Sequence, residues 1–151
     1  MSGPEEKVTH KQGAASIAVQ FINELNETVQ PDNGNTDLSP QGDYKDWMDK
    51  MAPTEASLSP NGGSVWIGVY TDTSQWDTFY FQVSYWCLGQ DIQFTATMKK
   101  GHNATVVATC VDPAGAQITA VITPKPTNTN LSSSYQEFLV TIAAPAPPPR
   151  S

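Results

Sequence analysis

The chain has 151 residues, of which 38% are hydrophobic and 15% charged, and its formal net charge is −7. This length and hydrophobic content are sufficient for one domain with its own core, and the charge content is too low for a disordered chain. Nucleic-acid binding is disfavoured because there are only eight Lys and Arg residues, of which only Lys99 and Lys100 are adjacent. The same shortage argues against strong attraction to anionic lipids, and leaves neutral lipids, sugars and proteins as partner classes.

The two ends of the chain differ from its middle. Residues 1–14 are interpreted as a flexible lead-in, whose charges are unlike those of a signal peptide. Residues 143–151 form a Pro-rich tail of polyproline type, which is typical of a linker. No apolar run approaches the roughly 20 residues of a membrane-spanning helix. We therefore expect one domain over residues 15–142, in a protein that is cytoplasmic or released without a signal peptide.

Alternation of apolar and polar residues dominates from residue 64 onward and predicts β-strands. Gly-, Pro-, Asn- and Asp-containing turn signals separate the alternating runs. The predicted strands cover residues 64–70, 79–87, 92–98, 105–111, 117–123 and 135–142. Short strands that begin about 10 to 15 residues apart indicate an all-β antiparallel sandwich or barrel.

The first third of the chain has a weaker pattern. Residues 15–22 alternate as a strand does but also trace helical rows, and we favour a strand because the rest of the domain is β. This gives a β-sandwich of about seven strands. A short helix is an expectation for residues 43–51, where it would bring Asp43, Asp46 and Asp49 to one face. We interpret that face as solvated rather than metal-binding, because calcium needs about six oxygen ligands from a differently spaced loop.

The two cysteines, Cys87 and Cys110, are candidates for a disulfide. If residues 79–87, 91–98 and 104–111 form a meander, the cysteines lie on strands two apart, roughly 9–10 Å from each other. A disulfide needs Cα atoms within about 7 Å, so a meander predicts free thiols, whereas facing sheets would allow the bond. Two cysteines and two histidines also give no basis for a zinc site.

Motifs of catalysis and cofactor binding are missing from the sequence. There is no G-x-S-x-G or S-x-x-K nucleophile motif, no P-loop and no G-x-G-x-x-G fingerprint. His102 falls in a predicted turn and His10 in the lead-in, so neither is placed as a catalytic base. We expect a protein that is not an enzyme and that uses no cofactor.

Aromatic residues provide the strongest indication of a binding surface. An aromatic side chain with an apolar body and a polar edge suits stacking on a sugar ring or contact with a membrane interface. Trp76 and Trp47 lie in polar segments, where a core residue is not expected, although packing remains an equal alternative. Four further aromatic residues fall on the strand faces opposite the aliphatic rows, where packing is again the alternative: Trp66, Tyr70, Tyr80 and Trp86.

Four features stand out over residues 15–123: an early strand ending in Asn26-Glu27-Thr28, a Gly42…Trp47…Pro53 stretch, Ser57–Ser64 leading into Val65–Tyr70, and the aromatic strand and turn of Phe79–Asp91. In these features the chain resembles the aegerolysins, which are small acidic β-sandwich proteins. The resemblance implies binding to sphingolipid-type head groups, often beside a larger pore-forming partner in a cytolytic or toxin system. Two features depart from the family. Thr73–Thr78 contains no glycine where a glycine-rich segment is expected, and residues 135–142 add a strand.

The leading hypothesis is a non-enzymatic recognition protein that binds membrane lipid through exposed aromatic residues, chiefly Trp76 and Trp47. A carbohydrate-binding lectin that uses the same residues is the first alternative. An Ig-like structural or adhesive module of a longer chain is the second, suggested by the Pro-rich end. Protease inhibition through an exposed loop such as residues 124–133 also stays open.

Overall fold

The computed structural model describes residues 13–110, 118–125 and 135–144, and within them the chain is all-β. One single-turn 3-10 helix occupies Asn33–Asn35. The strands are β1 (Ala15–Asn23), β2 (Gln30–Pro31), β3 (Gln41–Gly42), β4 (Asp46–Trp47), β5 (Gly63–Thr71), β6 (Thr78–Cys87), β7 (Gln90–Lys99), β8 (Thr105–Cys110), β9 (Thr119–Pro124) and β10 (Tyr135–Ala143). The predicted β-sandwich is confirmed, and seven of these strands are longer than two residues. The lead-in before residue 13 and the tail after residue 144 lie outside the described residues.

The first sheet, here called sheet I, has the strand order β4-β5-β1-β10-β9. Its central strand β1 pairs antiparallel with β5 and parallel with β10. Val19, for example, lies between Ile67 on β5 and Phe138 on β10. Residues 15–23 are thus a strand along their whole length, as we favoured, and a strand with partners on both sides has no free backbone edge.

The second sheet, sheet II, is a meander of β6, β7 and β8, with β2 and β3 both paired to the outer edge of β6. Ile92 on β7 lies opposite Tyr85 on one side and Cys110 on the other, which is the arrangement that predicts free thiols. Cys87 is a buried free cysteine. Burial, together with the negative charge of Glu27, raises the pKa of the Cys87 thiol.

The core lies between the two sheets and is built from the apolar rows that the alternation predicts. Four phenylalanines with fully buried side chains form its centre: Phe21, Phe79, Phe81 and Phe94. The ring of Phe21, from sheet I, lies 5.1 Å from that of Phe94 and 5.3 Å from that of Tyr85, both from sheet II. Tilted and edge-to-face aromatic pairs of this kind add to the free energy gained by burial, so they tie the sheets together.

The short helix expected for residues 43–51 is wrong, because the segment forms β4 and a turn at Lys50, which has a φ of 59°. Its backbone pairs with β5 instead: Met48 N donates to the Gly68 carbonyl, and Gly68 N donates to the Met51 carbonyl. Met48 and Met51 then pack on the outer face of sheet I against Ala18 and Tyr135. The free energy gained by burying two methionine side chains exceeds the preference of this segment for a helix.

Asp43, Asp46 and Asp49 therefore do not form one acidic face. Asp43 accepts hydrogen bonds from the backbone of residues 77 and 78, whereas Asp46 accepts one from the neighbouring Trp47 N–H. The positions that were expected to share a helix face instead belong to an edge strand and its flanking turns.

The outer edge of β6 is closed by residues 30–43, through both backbone and side chains. Only β2 and β3, with two residues each, pair with β6 as strands. Elsewhere, backbone N–H groups of residues 32, 37 and 43 donate to β6 carbonyls. The β6 N–H groups of Ser84, Gln82 and Thr78 donate to side-chain oxygens of Thr36, Asp37 and Asp43 at 3.1, 3.0 and 3.3 Å, respectively. The edge strand is thus covered and unavailable for pairing with another chain.

At the end of β1, the side chain of Asn23 ties two loops to sheet I. Its amide donates to the carbonyls of Glu27, Leu58 and Ser59 at 2.8, 3.0 and 3.1 Å, and its oxygen accepts from Leu25 N at 2.9 Å. The residue is completely buried. Buried carbonyls that lose their donor incur a desolvation penalty, so this one amide stabilises both loops.

We expect the substitution Asn23→Ala to lower the free energy of unfolding by about 2–3 kcal/mol, because it leaves buried backbone groups without partners. Asn23→Asp should cost at least as much, since it places a carboxylate against three carbonyl oxygens. The matched control is the exposed Asn26→Ala, for which a change within about 0.5 kcal/mol is expected. Urea denaturation measures all three, and a loss for Asn23→Ala as small as that of the control would contradict the role assigned to Asn23.

Candidate functional site

Two of the predicted site residues, Trp47 and Trp76, lie at the rim of the core rather than free in solvent. Both are half-buried and pack against it. The Trp47 ring meets Phe81 edge-to-face at 5.7 Å, and its indole N–H donates to the Leu38 carbonyl at 3.3 Å. The ring and the indole N–H of Trp47 thus both make contacts within the protein.

Trp76 is held from two sides. Its ring meets Phe79 edge-to-face at 5.2 Å, and Lys100 Nζ lies 5.7 Å from the ring centroid. The Lys100 ammonium also contacts the Ser74 carbonyl, which fixes it above the ring. A cation over an indole face is an attractive contact. Lys100 therefore accounts for a packed tryptophan in this polar segment, and the sequence pattern gives no sign of that contact.

Trp66 and Tyr70 point to the outer face of sheet I, as the alternation predicts. They do not form an open platform, because the Met48–Met51 segment covers that part of the sheet. Both side chains pack against the resulting small second core and are half-buried.

The remaining two predicted residues, Tyr80 and Trp86, both point outward from β6 on sheet II. Trp86 is 46% exposed, whereas Tyr80 and the other three tryptophans are half-buried. The structure therefore distributes the six predicted residues over three regions, and Trp86 is the most exposed of the six.

Leu88 joins Trp86 at the end of the β6–β7 hairpin. The turn places Leu88 at φ 54° and Gly89 at φ 76°, a conformation that fits a tight two-residue hairpin turn. Leu88 is 40% exposed. The sequence analysis identified this turn but not Leu88, because leucine at a left-handed turn position is unusual and carries no packing signal. We call Trp86 and Leu88 the hairpin end.

A second feature of this surface is a turn that rises over sheet II. Ser84 points outward from β6, and its hydroxyl donates to the Asn35 carbonyl at 2.9 Å. Asn35 in turn reaches β7, where its side-chain amide donates to Asp91 Oδ2 at 3.3 Å. Residues 32–37, here called the 32–37 turn, thus form a wall across the outer face, with the hairpin end beyond it.

The wall contains a carboxyl pair, Asp32 and Asp91. Asn35 Nδ2 donates to Asp32 Oδ2 at 2.7 Å as well as to Asp91 Oδ2, and the second oxygen of Asp91 is buried without a hydrogen-bond partner among the described residues. Burial, then the contact with Asp32, raises the pKa of Asp91 to about 6. Hydrogen bonds from Asp91 and Asn35 lower the pKa of Asp32. Asp91 therefore keeps its proton under mildly acidic conditions.

Beyond the wall, the outer face of sheet II is polar and uncharged. Its side chains alternate with the buried rows of β6 and β7 and carry amides and hydroxyls. Gln82 and Thr95 lie opposite each other, and Gln82 Nε2 donates to Thr95 Oγ1 at 3.2 Å. We call this surface the sheet II shelf; its outward residues are Tyr80, Gln82, Gln93, Thr95, Thr97, Thr105, Val107 and Thr109.

The part of the chain that the structure describes shows no cluster of metal ligands. Among the described residues, no three His, Cys, Asp or Glu side chains come together as a metal ion requires. The described part of the chain also has no helix long and apolar enough to span a membrane. The arrangement offers an exposed indole, an exposed leucine and a set of neutral hydrogen-bonding groups, all of which can contact a ligand.

Asp91 provides a pH-dependent prediction for this wall. A group whose pKa is higher in the folded chain than in the unfolded one stabilises the fold at low pH and loses that contribution as pH rises through the folded value. The contribution of Asp91 to the free energy of unfolding is therefore lost as the pH rises from about 4 to about 6. Asp32 acts in the opposite direction at lower pH, because its pKa is lowered.

We expect Asp91→Asn to be more stable than the wild type at pH 8 by about 1 kcal/mol, after allowance for solvent screening, because it removes a poorly solvated charge beside Asp32. At pH 5 the difference should shrink, since Asp91 is then protonated. Urea unfolding at both pH values measures it. Asp72→Asn removes the same charge from an exposed site with a single 4.0 Å ion pair to Lys45, so it should show no such pH dependence. Equal behaviour of the two variants would contradict the raised pKa of Asp91.

Comparison with known proteins identifies no family for this chain. No family model matches it, and no curated protein matches it significantly. The fold and the surface of sheet II are therefore the basis for any statement about function.

Proposed function

We propose that the protein is a non-enzymatic recognition domain that binds a neutral membrane-lipid surface through the hairpin end. The observation that carries this proposal is the exposure of Trp86 and Leu88 around one tight turn. Tryptophan is enriched at membrane–water interfaces because its ring is apolar and its N–H is polar. A leucine at the turn beside it adds an apolar group that can enter the acyl boundary.

The charges around the hairpin end define which lipids fit. Glu27 lies near enough to raise the pKa of the Cys87 thiol, and Asp91 lies directly opposite Trp86 on β7. A net charge of −7 adds a repulsive field at longer range. Anionic head groups are thus disfavoured, and neutral or zwitterionic head groups are favoured. This agrees with the sphingolipid-type head groups that the aegerolysin resemblance implies.

The apolar area available at the hairpin end limits the strength of insertion. The exposed parts of Trp86 and Leu88 correspond to roughly 3–4 kcal/mol of hydrophobic free energy if both are fully buried. A dissociation constant of 1 mM already requires about 4 kcal/mol. Insertion alone is therefore weak, so useful affinity needs contacts with the head group, several copies of the chain, or a larger partner.

The location of the lipid contact differs from the one expected from sequence. Trp76 and Trp47 were the leading candidates in the sequence analysis. The Trp76 ring contacts Phe79 and Lys100, and the Trp47 ring contacts Phe81. Trp86 has no ring contact of this kind among the described residues and keeps almost half of its surface free. The proposal therefore assigns the contact to the hairpin end. A cytolytic role with a larger protein partner remains a further part of the proposal.

We expect Trp86→Ala to lower binding to vesicles of phosphatidylcholine and sphingomyelin at least fivefold, because it removes most of the apolar contact. Leu88→Asn should have a smaller effect in the same direction, and Asn is tolerated at a positive φ. Vesicle sedimentation measures both, with Trp86 fluorescence as a second readout.

Two controls accompany this test. Val107→Ala alters an exposed apolar residue away from the hairpin end and should leave vesicle binding unchanged. Trp76→Ala should reduce stability but not vesicle binding. Wild-type protein that fails to sediment with any neutral vesicle would refute the proposed function, and unchanged binding of Trp86→Ala would refute the location.

A further inference from the structure

The sheet II shelf is unusual in its lack of charge. Between Tyr80 and the 32–37 turn, every outward residue of the three long strands is neutral, although the chain has 23 Asp, Glu, Lys and Arg residues. Asp91 and Lys99 lie at opposite ends of β7, outside this area. A solvated sheet face generally includes Lys and Glu for solubility, so a neutral face of this size indicates a surface suited to a neutral ligand.

The hydrogen-bonding groups of the shelf are aligned in rows across the strands. One row joins Tyr80, Thr97 and Thr105, and the next contains the bonded pair Gln82 and Thr95. That bond uses one of the two amide N–H groups of Gln82 and orients the carboxamide. The second N–H, the amide oxygen and the Thr95 hydroxyl proton can still engage a ligand. The shelf thus presents both donors and acceptors in fixed positions.

An aromatic ring and a wall bound the shelf along β6. Tyr80 stands at one end, half-exposed, and the 32–37 turn stands at the other, anchored on Ser84. Tyr80 and Ser84 are four positions apart on β6, which is about 13 Å, and three strands give a width of about 10 Å. Such a shelf is too open to enclose a small metabolite, since small-molecule sites are concave. Its dimensions suit a short chain of rings lying flat.

We propose that the sheet II shelf binds a neutral oligosaccharide, with one pyranose ring stacked on Tyr80 and hydroxyls bonded to Gln82 and Thr95. Sugar rings present apolar C–H faces and polar edges, which match an aromatic ring beside amides and hydroxyls. An anionic ligand is disfavoured because no cation lies within the shelf and the Asp32–Asp91 pair closes one end. An apolar ligand is disfavoured because Val107 is the only aliphatic side chain there.

This inference deepens the proposed function, and it rests on that function only for the source of the sugar. The hairpin end lies just beyond the 32–37 turn, since Trp86 is two residues from Ser84 on β6. A glycolipid would therefore offer its sugar to the shelf while the hairpin end contacts the bilayer. The additional contacts would supply the affinity that Trp86 and Leu88 do not provide. A soluble or cell-surface glycan has the same chemistry without the membrane.

The test uses the full chain with two kinds of probe. Calorimetry with neutral hexasaccharides of glucose and of N-acetylglucosamine reports on the shelf, and sedimentation with lactosylceramide or sphingomyelin vesicles separates the source. We expect Tyr80→Ala and Gln82→Ala each to weaken sugar binding at least tenfold, and Tyr80→Phe to retain it because the ring is kept. Trp86→Ala should leave binding of the free sugar unchanged and weaken vesicle binding. Circular dichroism confirms that each variant is folded.

The outcomes separate the two proposals. Binding to free hexasaccharide or to lactosylceramide that depends on Tyr80 supports the inference. Binding to sphingomyelin vesicles alone overturns it and leaves the proposed function standing, whereas binding to free sugar alone supports it and overturns the proposed function. Failure to bind any of these probes, or sugar binding that survives both Tyr80→Ala and Gln82→Ala, overturns the inference.

Discussion

The surface of sheet II depends on how the outer edge of β6 is closed. Backbone N–H groups of β6 that lack a full partner strand donate to side-chain oxygens of Thr36, Asp37 and Asp43. Because these acceptors are short side chains, residues 30–43 can follow the edge without forming a regular strand. The same irregular course lets the 32–37 turn rise over Ser84. Residues 30–43 therefore protect the edge of β6 from pairing with another chain, and they also form the wall that divides the outer face of sheet II.

The two sheets differ in what covers their outer faces, and small residues decide the difference. On sheet I, Gly68 leaves room for Met48: a Cβ at that position would lie 2.7 Å from the Met48 sulfur. Met48 and Met51 can thus pack on Ala18 and make a second core. The outer face of sheet II carries Gln82, Thr95 and other polar residues, whose burial without hydrogen-bond partners would be unfavourable. It consequently stays open, which is why both proposed contacts lie on sheet II.

The fold was predictable where one side of a strand had to be apolar. Alternation located six of the seven long strands, whereas the strand at β1 was inferred from the β character of the rest of the domain. Alternation also placed Trp86 and Tyr80 on the outer face, because successive side chains of a strand point to opposite faces. The degree of exposure was not predictable, since it depends on partners far away in sequence: Lys100 over Trp76, or Met48 near Trp66. The same holds for the Asp32–Asp91 pair, which a turn and a strand bring together across 59 positions.

Among the hydrogen bonds that anchor the wall, two respond differently to pH, and this difference keeps the position of the wall separate from the stability of the fold. The bond between the Ser84 hydroxyl and the Asn35 carbonyl involves no titrating group. The second anchor, from Asn35 to the carboxyl pair, faces a second negative charge once Asp91 ionises near pH 6. Because Asn35 donates an amide N–H, it bonds to either protonation state. Ionisation thus weakens the fold while the wall keeps its place, so the shelf and the hairpin end retain their geometry above and below that pH.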